Sequence, residues 1–160
     1  MKLEVVRLEK PEPVNVIVGQ SHFIKTVEDL YEAMVNSSPT VKFGIAFSEA
    51  SGPRLIRRDG NEAALIDSAV RILQSLACGH VFAIVMTEGF PVNVLGSVKD
   101  CREVCRVFCA TANRLQVLVA ETEKGRGVVG VIDGEAPLGI ETDGDARKRK
   151  EFLRKIGYKR

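Results

Sequence analysis

Three nucleotide-chemistry signatures are missing from this chain. It has no G-x-x-x-x-G-K-[ST] cradle, no H-R-D segment and no D-F-G segment, which excludes a P-loop NTPase and a protein kinase. A charge excess is missing too. The 23 Lys and Arg face 21 Asp and Glu, for a formal net charge of +2, and the basic residues are dispersed except at the carboxyl end. That leaves no general footprint for nucleic acid. No apolar run approaches the roughly 20 residues that span a bilayer, and Met1-Lys2-Leu3-Glu4 lacks the apolar core of a secretory signal. The expectation is a cytoplasmic protein with no membrane partner. Only four cysteines occur, Cys78, Cys101, Cys105 and Cys109, too few and too clustered for a disulfide framework, so free thiols are expected.

What is present is enough to fold. With 160 residues, 45% of them hydrophobic, one domain spanning residues 1–160 can bury a core. Leu3 to Leu8 and Val14 to Val18 read as β-branched strands on either side of Pro11-Glu12-Pro13, paired like a hairpin. Thr26 and Asp29 stand at capping-box spacing, and Val27, Leu30, Tyr31, Met34 and Val35 make one helical face. Val41 to Phe47 and Arg54 to Arg58 follow as strands. Asn61 is placed to cap a second helix with the stripe Leu65, Ala69, Ile72, Leu73 and Leu76, and Gly79 to close it. His80 to Met86 reads as a buried strand, Ser97 to about Arg106 as a third helix, and Val107 to Ala112, Leu115 to Glu121 and Val128 to Ile132 as strands. Ala146 to Ile156 forms an exposed, charged final helix stopped by Gly157. The predicted fold is α/β, a single layered domain with a mixed β-sheet and three or four helices.

Gly125-Arg126-Gly127-Val128-Val129-Gly130 matches G-x-G-x-x-G. In a dinucleotide fold, however, that pattern must open a helix. Here it runs into a strand, so it reads as a tight turn whose backbone can approach a ligand. Cys101, Cys105 and Cys109 are spaced by four, which on one helix would align three thiols. The last of them falls in a strand and no histidine is near in sequence, so buried small-hydrophobe roles are expected and a metal is not.

The two histidines are the candidate phosphoryl carriers. His80 stands at the mouth of an apolar strand, where a partly desolvated imidazole can serve as nucleophile. His22 precedes a helix whose first N–H groups, with Lys25, could hold a phosphate. Taken alone, either is as readily a structural histidine. Around them lie polar groups in turn or apolar contexts: Glu49, Ser51, Arg54, Arg57, Asp59, Asn61, Asn93, Thr111, Asn113, Glu121, Arg126 and Asp133. Arg and Lys clamp phosphates, carboxylates hold Mg²⁺, and the amides of Asn93 and Asn113 suit a purine edge or sugar hydroxyl. Each also fits a turn or a cap.

Seven segments together carry a resemblance: Gly19-Gln20-Ser21-His22-Phe23-Ile24-Lys25-Thr26, Phe43-Gly44-Ile45-Ala46-Phe47, Glu49-Ala50-Ser51-Gly52, Gly79-His80 before Phe82, Phe90-Pro91-Val92-Asn93-Val94-Leu95, Ala110-Thr111-Ala112-Asn113 and Gly130-Val131-Ile132-Asp133-Gly134. They resemble the adenosine-specific kinase family of archaea and bacteria, nearly end to end, through Leu153-Arg154-Lys155-Ile156-Gly157-Tyr158-Lys159. Three positions depart from it: Ser48 in place of a cysteine, Arg114 in place of a proline and Gly96 in place of an asparagine. The resemblance implies a site for adenosine or an adenine nucleotide, a homo-oligomer of three copies, and a histidine able to carry phosphate. The implied reaction is phosphoryl transfer from ATP, with Mg²⁺, to a histidine or to adenosine. His80 is the preferred carrier and His22 the alternative. Lys25, Arg57 and Arg126 would steady phosphates, Glu49 or Asp133 would place metal, and Ser51, Asn61, Asn93 and Asn113 would complete the nucleotide site. The competing reading is a non-catalytic adenosine or AMP sensor.

Overall fold

The computed structural model describes residues 1–160. Eight strands and four helices follow in the order β1 (Lys2–Arg7), β2 (Asn15–Ser21), α1 (Thr26–Ser37), β3 (Lys42–Ser48), β4 (Ile56–Gly60), α2 (Ala63–Leu76), β5 (Val81–Thr87), α3 (Pro91–Asp100), β6 (Val104–Thr111), β7 (Leu115–Glu121), β8 (Arg126–Asp133) and α4 (Asp143–Lys155). A five-stranded sheet has the order β4-β3-β5-β2-β6 and a three-stranded sheet the order β1-β7-β8. The layered α/β architecture with four helices is the one the sequence implies. Within it, every strand pair runs antiparallel.

The central strands β3 and β5 are apolar on both faces because each face meets a different layer. Phe43, Ile45, Phe47, Phe82, Ile84 and Met86 point to one side, where Leu30 and Met34 of α1 and Val94 and Val98 of α3 complete a core. The alternate residues Ala46, Ala83 and Val85, with Val16 and Val18 of β2, face the other side. There Leu65, Ala69, Ile72, Leu73 and Leu76 of α2 and Val117 and Val119 of β7 close a second core. Small residues on this second face let α2 come close. A Cβ on Gly44 would stand 2.1 Å from the Ile66 nitrogen, so only glycine fits.

Several local expectations change. β1 does not pair with β2: it pairs with β7, in the other sheet, because residues 8–14 carry the chain from one layer to the next. The third helix begins at Pro91 and ends at Asp100. Pro91 opens it without needing its missing N–H, and the Asn93 side chain accepts the Phe90 N–H at 2.9 Å. Ser97 therefore lies inside the helix, and residues from Val104 on are strand. Asn61 caps nothing. Its amide ties β3 in place, accepting the Phe43 N–H at 2.8 Å and donating to the Val41 carbonyl at 2.9 Å. Ala77 takes the left-handed closing position of α2 (φ 50°), not Gly79. The glycine-rich segment leaves a tight turn, in which the Thr122 N–H donates to the Gly125 carbonyl at 2.9 Å, and runs from Arg126 on as β8, paired with β7.

Candidate functional site

The strand registers gather one set of sequence-selected residues at a single end of the large sheet. Gln20 pairs with Val81, Phe47 with Phe82 and Ser48 with Ile56, so the carboxyl ends of β2 and β3 meet the amino ends of β4 and β5. His80 enters β5 there with a left-handed backbone (φ 58°). Its N–H donates to the Ser48 carbonyl at 2.7 Å, and its carbonyl accepts the Ser21 N–H at 3.0 Å. The half-buried imidazole stacks on Phe47, centroids 5.9 Å apart and planes 19° apart. His22 leaves β2 beside it, exposed, its N–H donating to the Glu103 carbonyl at 3.1 Å. Ser21 thus stands between the two histidines, and its hydroxyl hydrogen-bonds that of Thr26 at 3.0 Å.

Next to His80 lies a groove of about 720 Å³, lined among others by Glu49, Arg54, Gln74, Gly79, Lys124 and Arg126. That is the size of a small-molecule site. Its walls come from four places: the end of β3 with the turn after it, the end of α2, the link from α2 to β5 and the β7–β8 turn. Gly79 is required where two walls touch, since a Cβ there would lie 2.9 Å from that of Ala50. Arg54 and Ala77, at φ 54° and 50°, are left-handed non-glycine residues on the same rim. Strain of this kind costs about 1–3 kcal/mol per residue and tends to collect at functional sites.

Several charges at this end are already committed to partners. Arg57 donates through Nε and Nη2 to Glu49 at 3.0 and 2.8 Å, and the other Glu49 oxygen accepts the Leu55 N–H at 2.8 Å. The Leu55 N–H first, and then Arg57, hold the Glu49 carboxyl below the usual range. Arg126 donates to the Leu76 carbonyl, Glu4 and Glu121, each at 3.0 Å. Lys25 pairs with Asp29, which it holds in the ionised form, and stands 3.6 Å from Glu103. Glu103 is 1% exposed and both its oxygens lack a hydrogen-bond partner. No group of three His, Cys, Asp or Glu side chains is assembled to hold a metal ion.

A family model described as Adenosine specific kinase matches residues 6–159. The chain belongs to the adenosine-specific kinase family. Among solved structures, the PH1918 protein of Pyrococcus horikoshii OT3 is 45% identical, with a TM-score of 0.94 over 99% of this chain and 98% of that one. No curated protein matches the chain.

The family segments do not all converge within one copy. Glu49, Ser51, Arg57, Arg126, Lys25 and both histidines lie at the end just described, Ser51 in the exposed turn after β3. Asn61, Asn93, Asn113 and Asp133 lie at the opposite end, where Asn15 pairs with Met86 and Val16 with Thr111. A strand of this length separates the two ends by about 20 Å. Asp133 there accepts the Thr111 hydroxyl at 2.7 Å and the Asn113 amide at 3.0 Å. A second hollow of about 830 Å³ includes Asn93 but no Lys or Arg. Sequence reasoning missed Lys124, a basic residue directly before the glycine turn, which was the available signal. It also missed Glu103, which looks like any surface acid in Cys101-Arg102-Glu103. Of the three cysteines expected to be buried, Cys109 is buried, Cys101 is half-buried and Cys105 is exposed, because α3 ends before Cys105; Cys78 is buried as well.

Proposed function

We propose that the groove beside His80 binds adenosine or an adenine nucleotide and that His80 carries the phosphoryl group. The observation behind this reading is that a cation-lined groove and a half-buried histidine lie at the same sheet end, with Gly79, the residue before His80, lining the groove. Arg54, Lys124 and Arg126 face the groove, whereas the hollow at the other end offers a phosphate only Glu88 and neutral groups. In the first half-reaction a His80 ring nitrogen bonds to the γ-phosphorus of ATP and the bond to the β,γ-bridging oxygen breaks. ADP leaves with that electron pair and the ring N–H proton passes to water. In the second half, the phosphoryl group moves to a hydroxyl of adenosine, the P–N electron pair returns to the imidazole, and the hydroxyl proton restores the ring N–H. The protein's part is positioning and charge stabilisation. Mg²⁺ fits as cargo on the nucleotide's phosphates and not as a resident ion, since Glu49 and Asp133 already accept hydrogen bonds.

One observation favours the second reading, a non-catalytic adenosine or AMP sensor. Every acid placed to assist transfer at this end, Glu49, Asp29 and Glu121, is paired with a cation. Phosphate balance with labelled ATP, with and without adenosine, separates the two readings. Label on protein or on AMP supports transfer; binding without either leaves the sensor. The assembly belongs to the same proposal: a closed homo-oligomer of three copies, tested by light scattering at micromolar concentration.

A further inference from the structure

A groove that takes adenosine needs a group that reads the base, and the amides the sequence offers for that task are spent elsewhere. Asn61 accepts the Phe43 N–H and donates to the Val41 carbonyl. Asn93 accepts the Phe90 N–H, and the Asn113 amide donates to Asp133. One amide is left at the groove. Gln74 is the only Asn or Gln among the lining residues, and it is exposed.

The course of α2 puts it there. The helix turns Leu65, Ala69, Ile72 and Leu73 into the core, and Gln74 follows Leu73 off that stripe. Ala77, three residues on and so on the same side of the helix, lines the groove with it. The helix ends at that point, Ala77 closing it left-handed at φ 50°. Gln74 thus stands on the last turn of α2, at the groove wall. Ile56 and Leu73 add apolar surface to the same lining, as the faces of a flat ring require.

Adenine sets its 6-amino N–H, a donor, beside a ring nitrogen, an acceptor. A carboxamide is the complement, because Oε1 accepts while Nε2 donates. No other exposed side chain of the lining can do both. Arg54, Lys124 and Arg126 only donate. Glu49, the one carboxylate present, already accepts from Arg57 and from the Leu55 N–H, and Ser48 is buried.

We propose that Gln74 is the base-reading residue of the groove, its Oε1 accepting the adenine 6-amino N–H and its Nε2 donating to the neighbouring ring nitrogen. The inference rests on the nucleotide reading above and names the group that selects within it. Adenosine and purine riboside, which has hydrogen in place of the 6-amino group, differ only at the atom concerned. Their affinities are measured by titration calorimetry on wild type, Gln74→Leu and Gln74→Ala, the fold of each checked by circular dichroism; the position is exposed, so both variants should fold. Wild type should bind adenosine about 5- to 10-fold more tightly than purine riboside, the worth of one hydrogen bond. In both variants that ratio should fall to about one, because the loss falls on adenosine. A wild type that binds the two equally, or a preference that survives in folded Gln74→Leu and Gln74→Ala, overturns the assignment while leaving the nucleotide reading in place. A wild type that binds neither ligand removes the nucleotide reading, and the assignment with it.

Discussion

Phe47 holds the imidazole that the proposed chemistry needs, so replacing it should separate stability from phosphate loading. The ring is 1% exposed, within the core formed with α1 and α3, and His80 stacks on it at 5.9 Å. Phe47→Ala leaves a cavity and should cost about 3–5 kcal/mol. At about 2–4 °C per kcal/mol for a chain of this size, the melting temperature should fall by roughly 6–20 °C. Phe47→Leu keeps most of the volume and should cost under about 1.5 kcal/mol, a fall of no more than about 6 °C. What Leu removes is the aromatic neighbour of His80, a contact of about 0.5–1.5 kcal/mol. Calorimetry and the rate of label uptake from ATP, measured on both variants, read the two effects. Phe47→Leu should fold and load phosphate more slowly than wild type. A Phe47→Ala protein melting within about 2 °C of wild type, or wild-type loading in Phe47→Leu, would refute the reasoning.

Three further outcomes follow from the same geometry. Burial pushes the Cys101 and Cys109 thiols up to about 11 and raises that of Cys78. At pH 8 a disulfide reagent should therefore meet one fast thiol, the exposed Cys105, with the other three reacting only in denaturant; a burst of two or more contradicts this. The Asp29 and Glu49 carboxyls titrate lower in the folded chain than in the unfolded one, through Lys25 for Asp29 and through Leu55 and Arg57 for Glu49. On acidification the unfolded state takes up protons first, so stability should fall below about pH 4. Asp29→Asn with Glu49→Gln should flatten that fall in an acid titration, and an unchanged profile would remove both pairs as its cause. Saturating adenosine should raise the melting temperature by mass action and cytidine far less, whereas equal shifts would deny adenine selectivity.

The sequence made the layers legible because they rest on periodicity. The stripes of α1 and α2 and the double-sided apolar run of β5 each follow from what that stretch must bury. The places where reading failed depend on partners distant in sequence. Nothing in Leu3 to Leu8 shows that its ladder partner is β7, more than a hundred residues on. Asn61 beside a helix start looks like a cap, yet the Phe43 N–H and the Val41 carbonyl claim its amide. The site divided in the same way. His80, Glu49, Arg57 and Arg126 could be selected by residue type, but that Glu49 and Arg57 satisfy each other, or that Asn93 and Asn113 lie at the far end of the sheet, is a matter of register. Glu103 became notable only once its burial was known.

Mapping the phosphate after incubation with ATP and Mg²⁺, by mass spectrometry under alkaline conditions on wild type, His80→Ala and His22→Ala, tests the central claim most directly. A phosphohistidine is alkali-stable and acid-labile, and the half-buried position of His80 should shelter it. Phosphate on wild type and His22→Ala but not on a folded His80→Ala is the predicted result. Phosphate retained in His80→Ala and lost in His22→Ala would move the carrier to the exposed histidine before α1. Its absence from all three proteins would contradict the phosphoryl-transfer account and leave a groove that only binds.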